Sequence, residues 1–308
     1  MAENSTAHIY QSLIGNTAIA LVKAGAAWLT GSGSMMAETI HSFADCGNQV
    51  LLLVGVRRSA RPPDEKHPLG YGRDLYFWSF MVALLLFAGG GMFSVYEGVH
   101  KLMHPEPVEH VAIGIGILIV SLFIEGGATL SNIREMQKRA KGMPILRYVR
   151  ESKDSDLIVV FGENSAASIG LVIAIAGMGL AAVTGDAWWD GLGSLGIGIV
   201  LVFVAIFLAK EVKSLLVGEA ADPDLQRTVV DLVTAHPDLD KLMELITIQQ
   251  GPGQVMLSMK IEFRPGLSMP EGVAAIADFE RQLAASCPEV KWCFVEPGLK
   301  HLETPASG

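Results

Sequence analysis

The chain has 308 residues, 50% of them hydrophobic and only 18% charged, with a mean hydropathy of +0.39. That is too apolar for a water-soluble protein of this size and puts the chain in the membrane class. The formal net charge of -9 argues against a nucleic-acid binder, which needs a basic face. Cys46, Cys287 and Cys293 show no metal-knuckle spacing, and no disulfide framework is expected.

Residues 1–8 lack the basic stretch and small-residue cleavage site of a signal peptide, so the first apolar segment is expected to stay in the protein. The absence of an Arg-rich presequence points to a bacterial inner membrane rather than a mitochondrial one. Six stretches reach the roughly 20 residues a span needs: 9–29, 34–57, 76–103, 110–134, 157–183 and 189–215. Arg57, Arg58, Arg61, Lys66 and Arg73 follow the second. Arg134, Lys138, Arg139, Lys141, Arg147, Arg150 and Lys153 follow the fourth. The first and fifth links have no Lys or Arg, and the third has only Lys101. By the positive-inside rule the even links and both termini are cytoplasmic.

The second span carries Glu38, His41 and Asp45, then Asn48 and Gln49. His41 and Asp45 are four apart, one turn of helix, on one face. Ionisable residues inside a span are expensive and usually face a bundle interior or a water-filled path. Imidazole and carboxylate are both zinc ligands, which suggests what that path carries. Asn16 and Lys23 on the first span read either as pathway-lining or, preferred, as packing or snorkelling groups, and Glu125 on the fourth as a proton-relay group or, preferred, a partner for a neighbouring helix. Glu38 is expected near the outer surface, either lining the mouth or capping the span. Gly89, Gly90 and Gly91 read as close helix packing.

Beyond about residue 218 the pattern changes to helix (222–236), strand (245–249), a Gly251–Pro252–Gly253 turn, strand (255–263), helix (270–285) and strand (290–295). The expected layout is therefore two domains: residues 1–217 as a six-helix membrane domain, and residues 218–308 as a small cytoplasmic α+β, ferredoxin-like domain with its helices on one sheet face.

Three motifs in order carry a family resemblance. Ala37-Glu38-Thr39-Ile40-His41-Ser42-Phe43-Ala44-Asp45, followed by Asn48-Gln49, lies on the second span. His67-Pro68-Leu69-Gly70-Tyr71-Gly72-Arg73 lies in the loop after it, and Glu163-Asn164-Ser165-Ala166-Ala167 on the fifth span. With the layout above, the chain resembles the cation diffusion facilitator family, in the manner of its zinc transporter 9 branch. The resemblance implies a proton-coupled antiporter that exports divalent metal from the cytoplasm and dimerises with its own copy.

It also implies an ion site of two polar residues from the second span and two from the fifth, each pair four apart. The second-span pair is His41 and Asp45. The fifth-span pair is Glu163 and Ala167, or, one residue on, the neutral Asn164 and Ser168. Glu163 is preferred, because a His, Asp, Glu set suits zinc, with Asn164 or water as fourth ligand. For Glu163 the competing role is an interhelical partner of Lys23. Zn2+ is the expected cargo and H+ the counter-ion; Co2+, Fe2+, Cd2+ and Mn2+ are alternatives.

A secondary metal site in the loop after the second span keeps Asp64 and His67, but the family's later His is Tyr71; a capped turn is the plainer reading. The metal cluster of relatives' cytoplasmic domains has Met243, Met259 and Phe294 at its strand positions, leaving Glu296, His236 and His301. A domain that packs by apolar contact with little or no metal is expected, with Met256 and Met259 in its core. Arg73 is expected to pair with Glu219 or Glu211. An enzyme is discounted, for no nucleophile-and-base pair or phosphate loop is present. A non-transporting membrane scaffold or sensor on the same fold is the alternative to a carrier.

Overall fold

The computed structural model describes residues 2–140, 142–151 and 155–298. They form two compact units: 1–58 with 74–213, and 59–73 with 214–308.

The first unit is helical: α1 (Ala2–Thr30), α2 (Gly33–Ser59), α3 (Asp74–Leu85), a π-helical stretch (Leu86–Met92), α4 (Phe93–Met103), α5 (Val111–Arg139), α6 (Ile145–Glu151), α7 (Ser155–Thr184) and α8 (Trp188–Val217), whose last turn passes into the second unit. Five helical segments among the described residues are long and apolar enough to cross a membrane: Leu13–Thr30, Asp74–Met103, Val111–Lys138, Ile158–Thr184 and Trp188–Val217. The remaining expected span is α2. Its 27 residues are long enough to cross (about 1.5 Å each), but its polar stripe lowers its hydropathy. The protein is thus an α-helical membrane protein with a small α+β domain. The short α6 in the fourth link has no counterpart in the sequence reading.

Asp190 of α8 holds the start of α2. Its carboxylate accepts from the Ser32 hydroxyl (2.6 Å), the Gly33 N–H (2.6 Å) and the Ser34 N–H (3.3 Å). Ser32 Oγ in turn accepts from Met35 N–H (3.1 Å), an N-cap that satisfies a free helix donor. The third and sixth spans approach closely. A Cβ on Gly98 would collide with the Leu195 backbone, and one on Gly91 would meet Val202. Gly90 packs toward Leu201, while Gly89 meets only Leu85 of its own span, so the glycine run is an interhelical contact at two of its three positions.

The second unit follows the expected order: α9 (Pro223–Ala235), β1 (Leu239–Gly251), β2 (Gln254–Phe263), α10 (Met269–Ser286) and β3 (Val290–Pro297). β1 pairs antiparallel with β2, Leu245 opposite Met259, and β2 pairs parallel with β3 through the α10 crossover. This is the βαββαβ ferredoxin-like order without its first strand. Leu225, Val229 and Val233 of α9, and Phe279 and Leu283 of α10, bury against Val255, Leu257, Met259 and Ile261 of β2. The period of two on β2 puts Met259 in this core and half-buried Met256 on the opposite face. Segment 59–73 also belongs here: the backbones of Gly72 and Gly251 touch, and a Cβ on Gly251 would lie 2.9 Å from Gly72 Cα.

Candidate cation site

A cavity of about 430 Å³ lies among α1, α2, α5 and α7. From α2 it is lined by Ser42, Asp45, Gln49, Leu52 and Val56, spaced three and four apart, so the 3.6-residue repeat presents one side of the helix. From α7 it takes Glu163, Asn164 and Ala167, from α5 Glu125, and from α1 Asn16. The acids predicted on the second and fifth spans therefore share one chamber.

Glu163 is 8% exposed and accepts a short hydrogen bond from the side-chain amide of buried Asn48. Asn164 lines the chamber beside it, and its backbone carbonyl accepts from Thr129 Oγ1 (3.0 Å). Ser168 instead pairs its hydroxyl with Thr129 (2.8 Å) and is not among the lining residues. Of the two readings of the fifth span, Glu163 with Ala167 is the pair that both face the chamber.

His41 departs from expectation. It is 1% exposed, lies outside the lining, and stands beside Asp45, with Nδ1 3.6 Å from Oδ1. Neither ring nitrogen has a hydrogen-bond partner among the described residues. At 3.6 residues per turn, position 41 falls at the edge of the face that positions 42, 45, 49 and 56 present. Among the described residues no group of three His, Cys, Asp or Glu is arranged to hold a metal ion. The His41, Asp45, Glu163 set is thus not gathered into one shell in this conformation.

Lys23 does not pair with Glu163. It is fully buried, and its ammonium donates to Glu125 Oε1 (2.8 Å), Ser42 Oγ (3.0 Å) and Glu38 Oε2 (3.1 Å). Glu38, expected near the outer surface, is wholly buried in this group. The cause is its position on α2, one turn before Ser42 and beside the lysine of α1. Glu125 does pair with a neighbouring helix, as its burial cost requires. Each of these residues is visible in the sequence, but their meeting is not.

In the loop after α2, Asp64 Oδ1 accepts from the Lys66 and His67 N–H groups (3.0 and 2.7 Å), and Oδ2 accepts from the Tyr71 hydroxyl (2.6 Å). The Tyr71 hydrogen bond, helped by these backbone donors, holds the Asp64 carboxyl below its ordinary range. His67 stacks near Tyr71 with ring centres 4.3 Å apart. The turn occupies the oxygens that a metal at Asp64 and His67 would need. Arg73 lies over Gly218, its Nη2 3.3 Å from where a Cβ would sit, one residue before Glu219.

In the second unit buried His236 accepts the Asp238 N–H at Nδ1 (3.2 Å), and its Nε2 lies 3.4 Å from Asp278, joining the end of α9 to α10. Glu296 pairs with Lys260 (3.3 Å). Phe294 is 54% exposed, and His301 lies outside the described residues.

The family description cation efflux transmembrane domain matches residues 9–217. The mitochondrial proton-coupled zinc antiporter SLC30A9 of Xenopus laevis is 37% identical over 240 residues, 77% of this chain and 43% of that protein. Its human counterpart is 35% identical over 260 residues, 83% of this chain and 46% of that protein. The cation-efflux pump FieF of Klebsiella pneumoniae is 25% identical over 279 residues, 88% of this chain and 85% of the pump. The chain spans about half the length of the zinc antiporters it matches.

Proposed function

The chain belongs to the cation efflux family, the cation diffusion facilitators, and from that premise we propose that it exchanges a divalent metal cation, foremost Zn2+, for protons across a membrane. The observation that carries this reading is the chamber among α1, α2, α5 and α7 that Asp45 and Glu163 both line. Asp45 and Glu163 bind the cargo, Asn164 supplies a neutral oxygen, and His41 joins through its contact with Asp45 when α2 turns. Zinc is favoured because an imidazole stands beside carboxylates; Mn2+ prefers oxygen alone, and Co2+, Fe2+ and Cd2+ compete for the same donors.

The coupling follows from shared atoms. Metal binds deprotonated carboxylate and neutral imidazole, so its arrival releases protons and proton return expels it. Rocking of the helices would turn the chamber to each side. The cycle needs a membrane with a proton gradient, as a bacterial inner membrane has. Both termini lie on the cytoplasmic side, two copies associate, and Arg73 pairs with Glu219 to brace its unit.

Zinc flux into liposomes carrying a pH gradient tests this. Wild type is expected to move zinc, and Asp45→Ala to lose at least about tenfold of that flux. Undiminished flux in Asp45→Ala refutes the site. Loss in Asp45→Ala with flux retained in Glu163→Ala moves the fifth-span ligand to Asn164. No flux for any metal favours the scaffold reading.

A further inference from the structure

The Lys23 ammonium has three protons and spends each on a different oxygen, those of Glu125, Ser42 and Glu38. One cation therefore faces two carboxylates. The second oxygen of each acid, Glu38 Oε1 and Glu125 Oε2, is buried and has no hydrogen-bond partner among the described residues. Buried carboxylate oxygens without partners are costly, so this group has room for a further positive charge.

The two acids differ in access. Glu38 is sealed against α7 at Gly170, where a Cβ would collide with its Oε1. Glu125 has a side chain 19% exposed and lines the chamber. Every charged residue lining that chamber is a carboxylate, and they come from three helices: Asp45, Glu125 and Glu163. No lining residue of α2 lies nearer its N-terminus than Ser42, which is itself bonded to Lys23. The ion cluster lies at the end of the chamber nearest the α2 N-terminus.

Resting on the cargo reading above, we infer that Glu125 is a third carboxylate of the cation site and that Lys23 is its tethered counter-cation. A divalent ion entering between Asp45 and Glu163 draws Glu125 from Lys23. Lys23 then keeps Glu38 alone, a one-to-one buried pair. When cargo leaves, the ammonium returns to Glu125, so the empty carrier holds no unmatched acid there. The fourth span, which the two-plus-two pattern of second and fifth spans leaves out, thereby takes part in binding.

Zinc binding to the purified full chain in lipid nanodiscs, by calorimetry, tests this. Glu125→Gln keeps the shape and removes the charge; its zinc dissociation constant is expected to rise about tenfold. The double variant Lys23→Met with Glu38→Gln removes one charge of each sign and frees Glu125; it is expected to bind zinc about threefold tighter. An affinity within about twofold of wild type for Glu125→Gln overturns the inference, as does unchanged or weaker binding in the double variant. Should Glu125→Gln fail to fold, the double variant decides. Wild-type binding that Asp45→Ala abolishes leaves the cargo reading standing whichever way Glu125→Gln falls. No zinc binding by wild type sinks both.

Discussion

Lys23 shows at the residue scale what burial demands of a charge. Lys23→Met leaves the fully buried Glu38 without its cation. Removing one member of a buried ion pair typically costs about 3–5 kcal/mol, so thermal unfolding of this variant is expected well below wild type. Adding Glu38→Gln to it is expected to restore most of the loss; a double variant no more stable than Lys23→Met would make the pair an onlooker. Lys23, Glu38, Asn48, Glu125 and Glu163 stand out in the sequence as polar residues of the apolar segments. The sequence holds no sign of who meets whom, because the bonds join residues 102 and 115 positions apart. Local pattern places a polar group on a helix face; only the packing of several helices chooses its partner.

Elements were more legible where periodicity is strong. β2 alternates cleanly, and the apolar stripes of α9 and α10 give the core of the second unit. The π-helical stretch Leu86–Met92 was not legible, because its apolar run looks like ordinary helix. The start of α2 is a bonded junction with α8. Asp190→Ala removes an acceptor for three donors there. The expected cost is at least about 2 kcal/mol, the upper end for a lost cap, measured as a drop in unfolding midpoint. In α10, hydrogen bonds from Ser268 hold the Glu271 carboxyl below its usual range, and Arg281 with Gln282 does so for Asp278. A carboxyl lowered in the folded state adds stability that is complete above its unfolded value, near pH 4, and lost as pH falls through the folded value. Hydrogen exchange of β2 is expected to accelerate over that acid range, and less steeply in Glu271→Gln/Asp278→Asn. Equal acid slopes in the two proteins would place the sensitivity elsewhere.

For the whole molecule, sequence order misleads at one place. The His67-to-Arg73 loop joins two spans, yet it packs within the second unit, Gly72 against Gly251. No side chain fits that backbone contact, so Gly251→Val is expected to expose the loop. Amide exchange over residues 64–72 should rise at least about tenfold while α2 and α3 keep wild-type protection. Loop protection unchanged in Gly251→Val would detach it from β1. The composition made the membrane class plain and the basic links supplied an orientation, but neither carries a signal for a loop that folds with a distant part of the chain.

The polar stripe of α2 also bears on how the protein is made. A lone α2 would bring Glu38 and Asp45 into lipid, each at a cost of order 3 kcal/mol near the bilayer centre. α1 precedes it across a link of only two residues, Gly31 and Ser32, and carries the lysine that matches Glu38. The first two helices are therefore suited to leave the insertion machinery together, as a hairpin in which Lys23 already matches Glu38. The helix that bears Asp45 is thus eased into the membrane by the lysine of its predecessor.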